Sequence, residues 1–272
     1  MNKILSNLPS PALAGVVKAP NKEKAKADIK NCLMAGADMI DLHMSCLDNS
    51  DVDNLKAIIE STKLPILALN YNIKCSKETA GLSEEERVAS FLRAAEAGAA
   101  GVDIQAYTYD INSKMNFVGE DKYSFTKDNP REVVTDENII SKQCELIEKF
   151  HSMDTEVLLS CHPAVVMSAE QVVDLALFLR KRNPDIIKIV TLAKTEEDLY
   201  ESIRAMTFLK RELDIPVAYH ATGKAGIPSR IINPLLGGHI AFCVERYEES
   251  SDLNQIDLRE ARTVVDGAKR LV

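Results

Sequence analysis

The feature that most restricts the fold of this chain is a regular alternation of short apolar runs with longer segments of helical periodicity. The short runs are rich in β-branched and aliphatic residues, as buried strands are. We predict eight strands, at 14–17, 37–44, 65–71, 101–107, 156–162, 186–192, 216–222 and 239–245. Helices are predicted at 22–35, 51–62, 83–97, 136–152, 168–182, 195–213 and 257–271.

Strands that alternate with helices pair in parallel, and eight such units in 272 residues fit a single α/β domain, a (β/α)8 TIM barrel over residues 1–272. An open doubly wound sheet is the competing architecture, but no G-x-G-x-x-G motif follows an early strand. The long connection at 108–135 follows the fourth strand. In a barrel it leaves the face that carries active sites, so it is either a lid over the pocket or a surface insertion.

Composition and charge narrow the class of partner. The formal net charge of −8 argues against nucleic acid or an anionic membrane surface, so we expect a small-molecule partner. The six cysteines form no C-x-x-C pair, which argues against a zinc site or a disulfide framework and fits a reducing cytoplasm. The N-terminus lacks the apolar stretch of a signal peptide, and no run reaches the roughly 18 apolar residues of a membrane span.

Polar side chains cluster near the carboxyl ends of the predicted strands, where a barrel builds its active site. Residues two apart in a strand point to the same side of the sheet, so each pair shares one face. The candidates are Asp41, His43, Tyr71, Asp103, Gln105, Ser160, His162, Lys188, His220 and Thr222. A barrel core has no need of so many polar groups, which favours one concave site over separate buried residues.

Lys188 is the most unusual candidate, because it interrupts the apolar run DIIKIVTLAK at 185–194. A desolvated lysine gives up its proton more readily, and the neutral amine attacks a carbonyl to form a Schiff base that acts as an electron sink. The alternative is a buried ion pair with Asp41 or Asp103. His162 ends the preceding strand and is a candidate acid and base for the same pocket, although isolated histidines are often structural.

The segment ATGKAGIPSRIINPLLGG at 221–238 follows the seventh predicted strand. Barrel enzymes often hold anions at this place with backbone N–H groups and a helix N-terminus. The segment also contains Arg230, so we expect an anionic substrate here. The alternative is a flexible loop with a surface arginine.

These motifs resemble the type I 3-dehydroquinate dehydratase family. That family pairs a histidine in an S-x-H motif with a Schiff-base lysine in a D-I-x-K-[IV] motif, and this chain has SCH at 160–162 and DIIKIV at 185–190. The stretch TGKAGIPSRI at 222–231 resembles the family's substrate-binding segment and supplies Arg230. The resemblance spans the chain and is strongest from residue 156 to the end.

The resemblance also identifies substrate-binding positions, some of which depart from the family pattern. Ser251 and Gln255, in SDLNQ, match the Ser and Gln that complete the family's pocket. The departures are Asp41 and His43 in place of E-x-R, Tyr71 in place of an arginine, Gln105 in place of an acidic residue, and His220 and Thr222 in place of two methionines. Because Arg binds carboxylates and hydroxyls with a geometry that His and Tyr lack, we predict a rewritten recognition shell around retained catalytic residues.

The resemblance implies a cytoplasmic lyase of the shikimate pathway of aromatic amino acid biosynthesis, without metal or organic cofactor, and a homodimer. Lys188 would form the Schiff base, His162 would act as acid and base, and Asp41 would orient His162 or bind a substrate hydroxyl. A variant of this hypothesis is β-elimination on another keto acid. The alternatives are a class I aldolase that binds a phosphorylated or carboxylated sugar, and a barrel that binds a metabolite without turnover.

Overall fold

The structure is a computed structural model that describes residues 3–71, 82–110, 133–163, 165–247 and 255–270. Within these ranges nine strands form one parallel sheet. They are β1 (Ala12–Val17), β2 (Met39–His43), β3 (Ile66–Leu69), β4 (Gly101–Gln105), β5 (Glu156–Cys161), β6 (Ile186–Leu192), β7 (Val217–Thr222), β8 (Ile240–Val244) and β9 (Ile256–Asp257). Every ladder in the sheet is parallel.

Eight α-helices alternate with the strands in the described part of the chain. They are α1 (Lys22–Met34), α2 (Val52–Ile59), α3 (Glu84–Glu96), α4 (Glu137–Ser152), α5 (Ala169–Arg180), α6 (Glu196–Glu212), α7 (Ser229–Leu235) and α8 (Leu258–Lys269). Capping boxes at Ser83, Ser168 and Thr195 begin α3, α5 and α6, so the local sequence defines where these helices start.

The sheet curls into the barrel that the strand and helix pattern predicts. Its strand order is β7-β6-β5-β4-β3-β2-β1-β8-β9, and the N–H of His239, just before β8, donates to the carbonyl of Val217 in β7 over 2.7 Å. This bond joins the two ends of the eight-strand series. The α/β barrel class is therefore confirmed, whereas its treatment as one domain over 1–272 stays a prediction.

Two apolar cores fill the molecule. The larger lies between the sheet and the helices, and the smaller contains side chains from seven of the strands, among them Met39, Leu67 and Ile186. Leu5, at 1% exposure, also belongs to the smaller core, and its N–H donates to Glu156 over 2.5 Å. Apolar side chains thus occupy the barrel interior below the polar strand ends.

The sequence misses three elements. A short 3-10 helix covers Met44–Cys46, β9 adds to β8, and α7 begins at Ser229 inside the segment that we predicted as an anion-binding loop. Helix α7 contains Pro234 and has no side-chain cap, so it lacks the usual helix signals. Most of the predicted lid at 108–135, namely 111–132, and also Ser251 lie outside the described residues. No helix in the described ranges is long and apolar enough to cross a membrane.

Candidate active site

A ring of side chains from alternate strands forms the floor of the site. Lys188 on β6 projects toward Asp103 on β4, with Nζ 3.3 Å from Oδ2, and lies over Phe242 on β8, with Nζ 4.2 Å from the ring centroid. Contacts among β4, β6 and β8 require these side chains to point into the barrel, as layers from alternate strands do in this fold. The structure therefore has Lys188 on the inward-pointing face of β6, as the alternation of side chains along the strand predicted.

Lys188 and Asp103 form a buried ion pair, which is one of the two readings that the sequence left open. Lys188 is 6% exposed and Asp103 is completely buried. Burial raises the pKa of the Asp103 carboxyl, although the neighbouring Lys188 ammonium opposes that rise. The pair supplies charge compensation for a buried amine and does not exclude a Schiff base, because the amine still borders the other polar groups of the pocket.

His162 follows β5 and contacts Tyr71, which lies two residues beyond the end of β3. The Tyr71 hydroxyl is 2.9 Å from His162 Nε2, and the two rings meet edge to face with centroids 5.4 Å apart. The same hydroxyl lies 3.5 Å from Lys188 Nζ. Burial, then the charges of Lys188 and Arg230, hold the pKa of His162 well below its ordinary value, so the ring is neutral at pH 7.

Asp41 and His43 form a second pair at the end of β2. His43 Nε2 lies 3.3 Å from Asp41 Oδ2, and the His43 ring faces the edge of Tyr71 with centroids 6.3 Å apart. Asp41 Oδ1 is buried and has no hydrogen-bond partner among the described residues. Asp41 thus contacts His43, and Tyr71 takes the position beside His162. The two roles predicted for Asp41, orienting His162 or binding a substrate hydroxyl, stay predictions.

Arg230 and His220 form the opposite wall. Arg230 is the second residue of α7 and is 8% exposed, and His220 on β7 is 7% exposed. Burial, followed by the charges of Arg230 and Lys188, lowers the pKa of His220 well below its ordinary value. Thr222 is only partly buried, and its main-chain carbonyl accepts from the Ala193 N–H over 2.9 Å.

The turn between β7 and α7 is built to position Arg230. The Ser229 hydroxyl accepts from the Ala221 N–H over 2.8 Å and donates to the Gly226 carbonyl over 2.6 Å. A Cβ on Gly226 would collide with the main-chain oxygens of Ala221 and Thr222, so only glycine fits. The adjoining segment is thus held tightly, in contrast to the flexible loop that was the alternative.

Gln105 is less available for substrate binding than the sequence suggested, because both ends of its amide make contacts within the protein. Its Oε1 accepts from Arg87, and its Nε2 donates to the main-chain carbonyl of Asp103 over 2.8 Å. Arg87, from α3, is 1% exposed and also donates to the carbonyl of Asn70 over 3.1 Å. Sequence reasoning missed this arginine because it lies in an ordinary amphipathic helix, and only the fold brings it to the ends of β3 and β4.

Gln255, immediately before β9, lies at the edge of the described region. Its Oε1 is buried without a hydrogen-bond partner among the described residues, and its main-chain carbonyl accepts from the Tyr247 hydroxyl over 2.7 Å. The roles of Gln255 and Ser251 in substrate binding stay predictions. No group of three metal-ligating side chains occurs within the described ranges.

Comparison with known proteins agrees with the fold. A family model described as type I 3-dehydroquinase matches residues 129–270, more than half of the chain. This chain belongs to the type I 3-dehydroquinase family. The matched segment includes His162, Lys188 and Arg230, whereas Asp41 and Tyr71 lie outside it.

Relatives extend the likeness over most of the chain. A 3-dehydroquinate dehydratase from Desulfotalea psychrophila is 23% identical over 233 residues, which cover 84% of this chain and 86% of that protein. The crystal structure of a type I 3-dehydroquinate dehydratase from Clostridium difficile has a TM-score of 0.75 at 14% identity, with 98% of both chains covered. That of 3-dehydroquinate dehydratase from Geobacillus kaustophilus has a TM-score of 0.72 at 17% identity, covering 96% of this chain and 91% of the other. At these identities the solved structures support the fold alone.

Proposed function

We propose that this protein is a hydro-lyase that removes water from 3-dehydroquinate, or from a related cyclic keto acid, through a Schiff base on Lys188. The observation that carries the proposal is the position of Lys188 Nζ, buried inside the barrel with Asp103 Oδ2 at 3.3 Å and Tyr71 OH at 3.5 Å. Membership of the type I 3-dehydroquinase family supports the same reaction.

The reaction begins when the Lys188 ammonium gives up a proton, which His162 receives, and the resulting neutral amine adds to the substrate ketone. The carbinolamine then loses water to give a protonated imine, with a proton supplied by His162. His162 next removes the proton α to the imine, because burial and neighbouring cations keep its ring neutral and able to accept one. The enamine expels the β-hydroxyl, which takes the proton from His162 and leaves as water. Hydrolysis of the new imine releases the enone and restores Lys188.

The remaining groups divide the task of binding. Arg230 holds the substrate carboxylate or a ring hydroxyl, since its guanidinium is a buried cation at the β7–α7 wall. Asp41 Oδ1, buried and without a partner among the described residues, accepts a hydrogen bond from a substrate hydroxyl. His43 lies beside it at 3.3 Å. His220, Thr222, Gln105, Gln255 and Ser251 complete the predicted pocket.

The alternative functions receive less support. The family match is to a dehydroquinase, which favours elimination over aldol cleavage and over binding without turnover. A cytoplasmic location and a homodimer remain predictions from the family resemblance.

Enone formation tests the proposal, because the conjugated product absorbs in the ultraviolet and the keto acid does not. Purified protein is mixed with 3-dehydroquinate, and with a panel of other cyclic keto acids and phosphorylated sugars. We expect turnover of 3-dehydroquinate or one of the keto acids, and no turnover by Lys188→Ala. Cleavage of a phosphorylated sugar would establish the aldolase instead, and ligand-induced stabilisation without product would establish a binding protein.

A further inference from the structure

We propose that Tyr71 is a catalytic proton relay between Lys188 and His162, a role distinct from the substrate-binding position that the sequence suggested. This inference rests on the proposed Schiff-base function. It assigns to Tyr71 the step that precedes imine formation, in which the lysine ammonium must lose a proton before its nitrogen can attack a carbonyl.

The geometry of one oxygen atom supports the relay. The Tyr71 hydroxyl is 2.9 Å from His162 Nε2 and 3.5 Å from Lys188 Nζ, so it is the atom that bridges the two reacting groups. The second distance is long for a hydrogen bond, as catalytic contacts often are before substrate binds. A phenol both donates and accepts, whereas the arginine that the family pattern places here can only donate.

The charges of Lys188 and His162, the two ends of the relay, indicate the direction of proton transfer. His162 is neutral because burial and the charges of Lys188 and Arg230 lower its pKa, so a lone pair is available on its ring. An ammonium cannot accept a hydrogen bond, which makes Lys188 the donor to the phenol oxygen. When Lys188 loses its positive charge, one of the causes that depress the pKa of His162 disappears, and the ring becomes a better base at that moment.

The step balances as a double proton transfer. An N–H bond of the Lys188 ammonium breaks as its proton moves to the Tyr71 oxygen, and the Tyr71 O–H bond breaks as its own proton moves to His162 Nε2. The products are a neutral amine, an unchanged phenol and an imidazolium. The imidazolium then supplies the proton that leaves with the carbinolamine hydroxyl as water, and the ring is neutral again for removal of the α-proton.

Asp103 is the competing acceptor, since its Oδ2 lies 3.3 Å from Lys188 Nζ. Its side chain is completely buried, and the carboxylate is already engaged in compensating the ammonium. His162 is the less deeply buried of the two acceptors, because it lies at the end of β5 and is half-buried.

The surroundings of the relay contain several other charged or titratable groups. They are Asp41 and His43 on β2, Arg87 on α3, Asp103 on β4, His220 on β7 and Arg230 on α7. The charges of these groups also act on the relay. The test therefore compares variants that differ only at one end or at the bridge of the relay.

The experiment measures how fast Lys188 forms an imine with glyoxylate, a small aldehyde acid, in the presence of cyanoborohydride. Intact mass and peptide mapping quantify the reduced adduct at Lys188 from pH 6 to pH 10. The variant is Tyr71→Phe, which keeps the ring and removes the hydroxyl. The matched control is Tyr200→Phe, at a side chain that is 60% exposed on α6, and a thermal unfolding curve is recorded for each protein.

We expect adduct formation by Tyr71→Phe to be about 100-fold slower than wild type at pH 7, the size of a general acid–base contribution. The defect should shrink as the pH rises, because hydroxide then removes the lysine proton directly. With 3-dehydroquinate, kcat should fall while KM changes by less than about twofold. The control should behave as wild type throughout.

A wild-type rate for Tyr71→Phe at pH 7, or a defect of equal size at every pH, would overturn the relay. A raised KM with unchanged kcat would return Tyr71 to substrate binding.

If Tyr71→Phe does not fold, His162→Gln removes the far end of the relay and should show the same pH-dependent defect in adduct formation. Absence of any adduct at wild-type Lys188 would also contradict the relay. Efficient trapping without dehydration of 3-dehydroquinate or of any keto acid in the panel would refute the proposed function and leave the relay standing.

Discussion

The two halves of the barrel contribute different residues to the site. Strands β5 to β8 and helix α7 supply Lys188, His162 and Arg230, within the segment that the family model matches. Strands β1 to β4 supply Asp41, His43 and Tyr71, outside that segment and at positions where the family resemblance leads us to expect arginines and a glutamate. The lysine, histidine and arginine that the family resemblance identifies thus lie in one half, and most of the departures from the family pattern lie in the other.

This difference teaches that a barrel can keep a reaction while it changes what surrounds the reacting atoms. A Schiff base needs one amine and one acid–base group, and both come from neighbouring strands, β5 and β6. Recognition of ring substituents has no such fixed requirement. The halves meet where Lys188 on β6 pairs with Asp103 on β4, and where Tyr71, after β3, contacts His162, after β5.

Several substitutions test how the two halves share the site. Removal of the His162 side chain should have the largest effect on activity. His162→Ala is expected to lower kcat by about 1,000-fold, because proton transfers to and from the substrate lose their catalyst. Lys188 remains, so the reduced adduct should still accumulate, although more slowly. Steady-state kinetics and intact mass measure the two effects. His151→Ala, on α4, is the control, and loss of the adduct altogether would mean that His162 supports Lys188 structurally.

Arg230→Lys should have the next largest effect. Lysine keeps the charge but loses the forked geometry, and a charged hydrogen bond contributes about 1.5–3 kcal/mol, which corresponds to about 10- to 100-fold in kcat/KM. Kinetics with 3-dehydroquinate measure the loss, with Arg204→Lys on the exposed face of α6 as the control. An unchanged kcat/KM would assign the carboxylate to another group.

Asp41→Asn tests the half formed by β1 to β4, and its expected effect on activity is smaller. The amide can still accept one hydrogen bond but carries no charge, so KM should rise about tenfold while kcat stays close to wild type. A kcat defect of 100-fold or more would instead place Asp41 in the chemical steps, and the division between the two halves would be incorrect.

The smallest effect concerns stability and pH. The pKa of His220 is lower in the folded protein than its ordinary value of 6.5, so the unfolded chain binds more protons as the pH falls below 6.5. The free energy of unfolding should therefore decrease from pH 7 to pH 5, with His220 contributing at most about 1.4 kcal/mol per pH unit. Urea unfolding of wild type and His220→Met at both pH values should show a weaker decrease in the variant. Equal decreases would show that His220 titrates alike in both states.

The sequence predicted much of the fold because its signals are local. Alternating apolar runs identified the eight barrel strands, and capping residues such as Ser83 and Thr195 gave the starts of helices within a residue. It did not predict α7, because that helix contains Pro234 and has no side-chain cap. It did not predict β9 either, because only the pairing with β8 defines this short strand.

The site was predicted less completely than the fold, because side-chain contacts depend on tertiary structure. Strand parity correctly placed Lys188 and Asp103 on one face, but it could not show that they pair or that Tyr71 bridges toward His162. Arg87 reaches the strand ends from a helix, where no sequence signal marks it. For Asp41 the sequence suggested two roles, orienting His162 or binding a substrate hydroxyl, and it could not show the contact with His43.

The central claim is that Lys188 forms a Schiff base with a cyclic keto acid. Its most direct test is the intact mass of the protein after borohydride reduction in the presence of 3-dehydroquinate, beside Lys188→Ala treated in the same way. We predict a covalent increment of ligand size in the wild type that is absent from the variant. An equal increment in both proteins would contradict the account, and so would the absence of an increment in the wild type with 3-dehydroquinate and with every other keto acid of the panel.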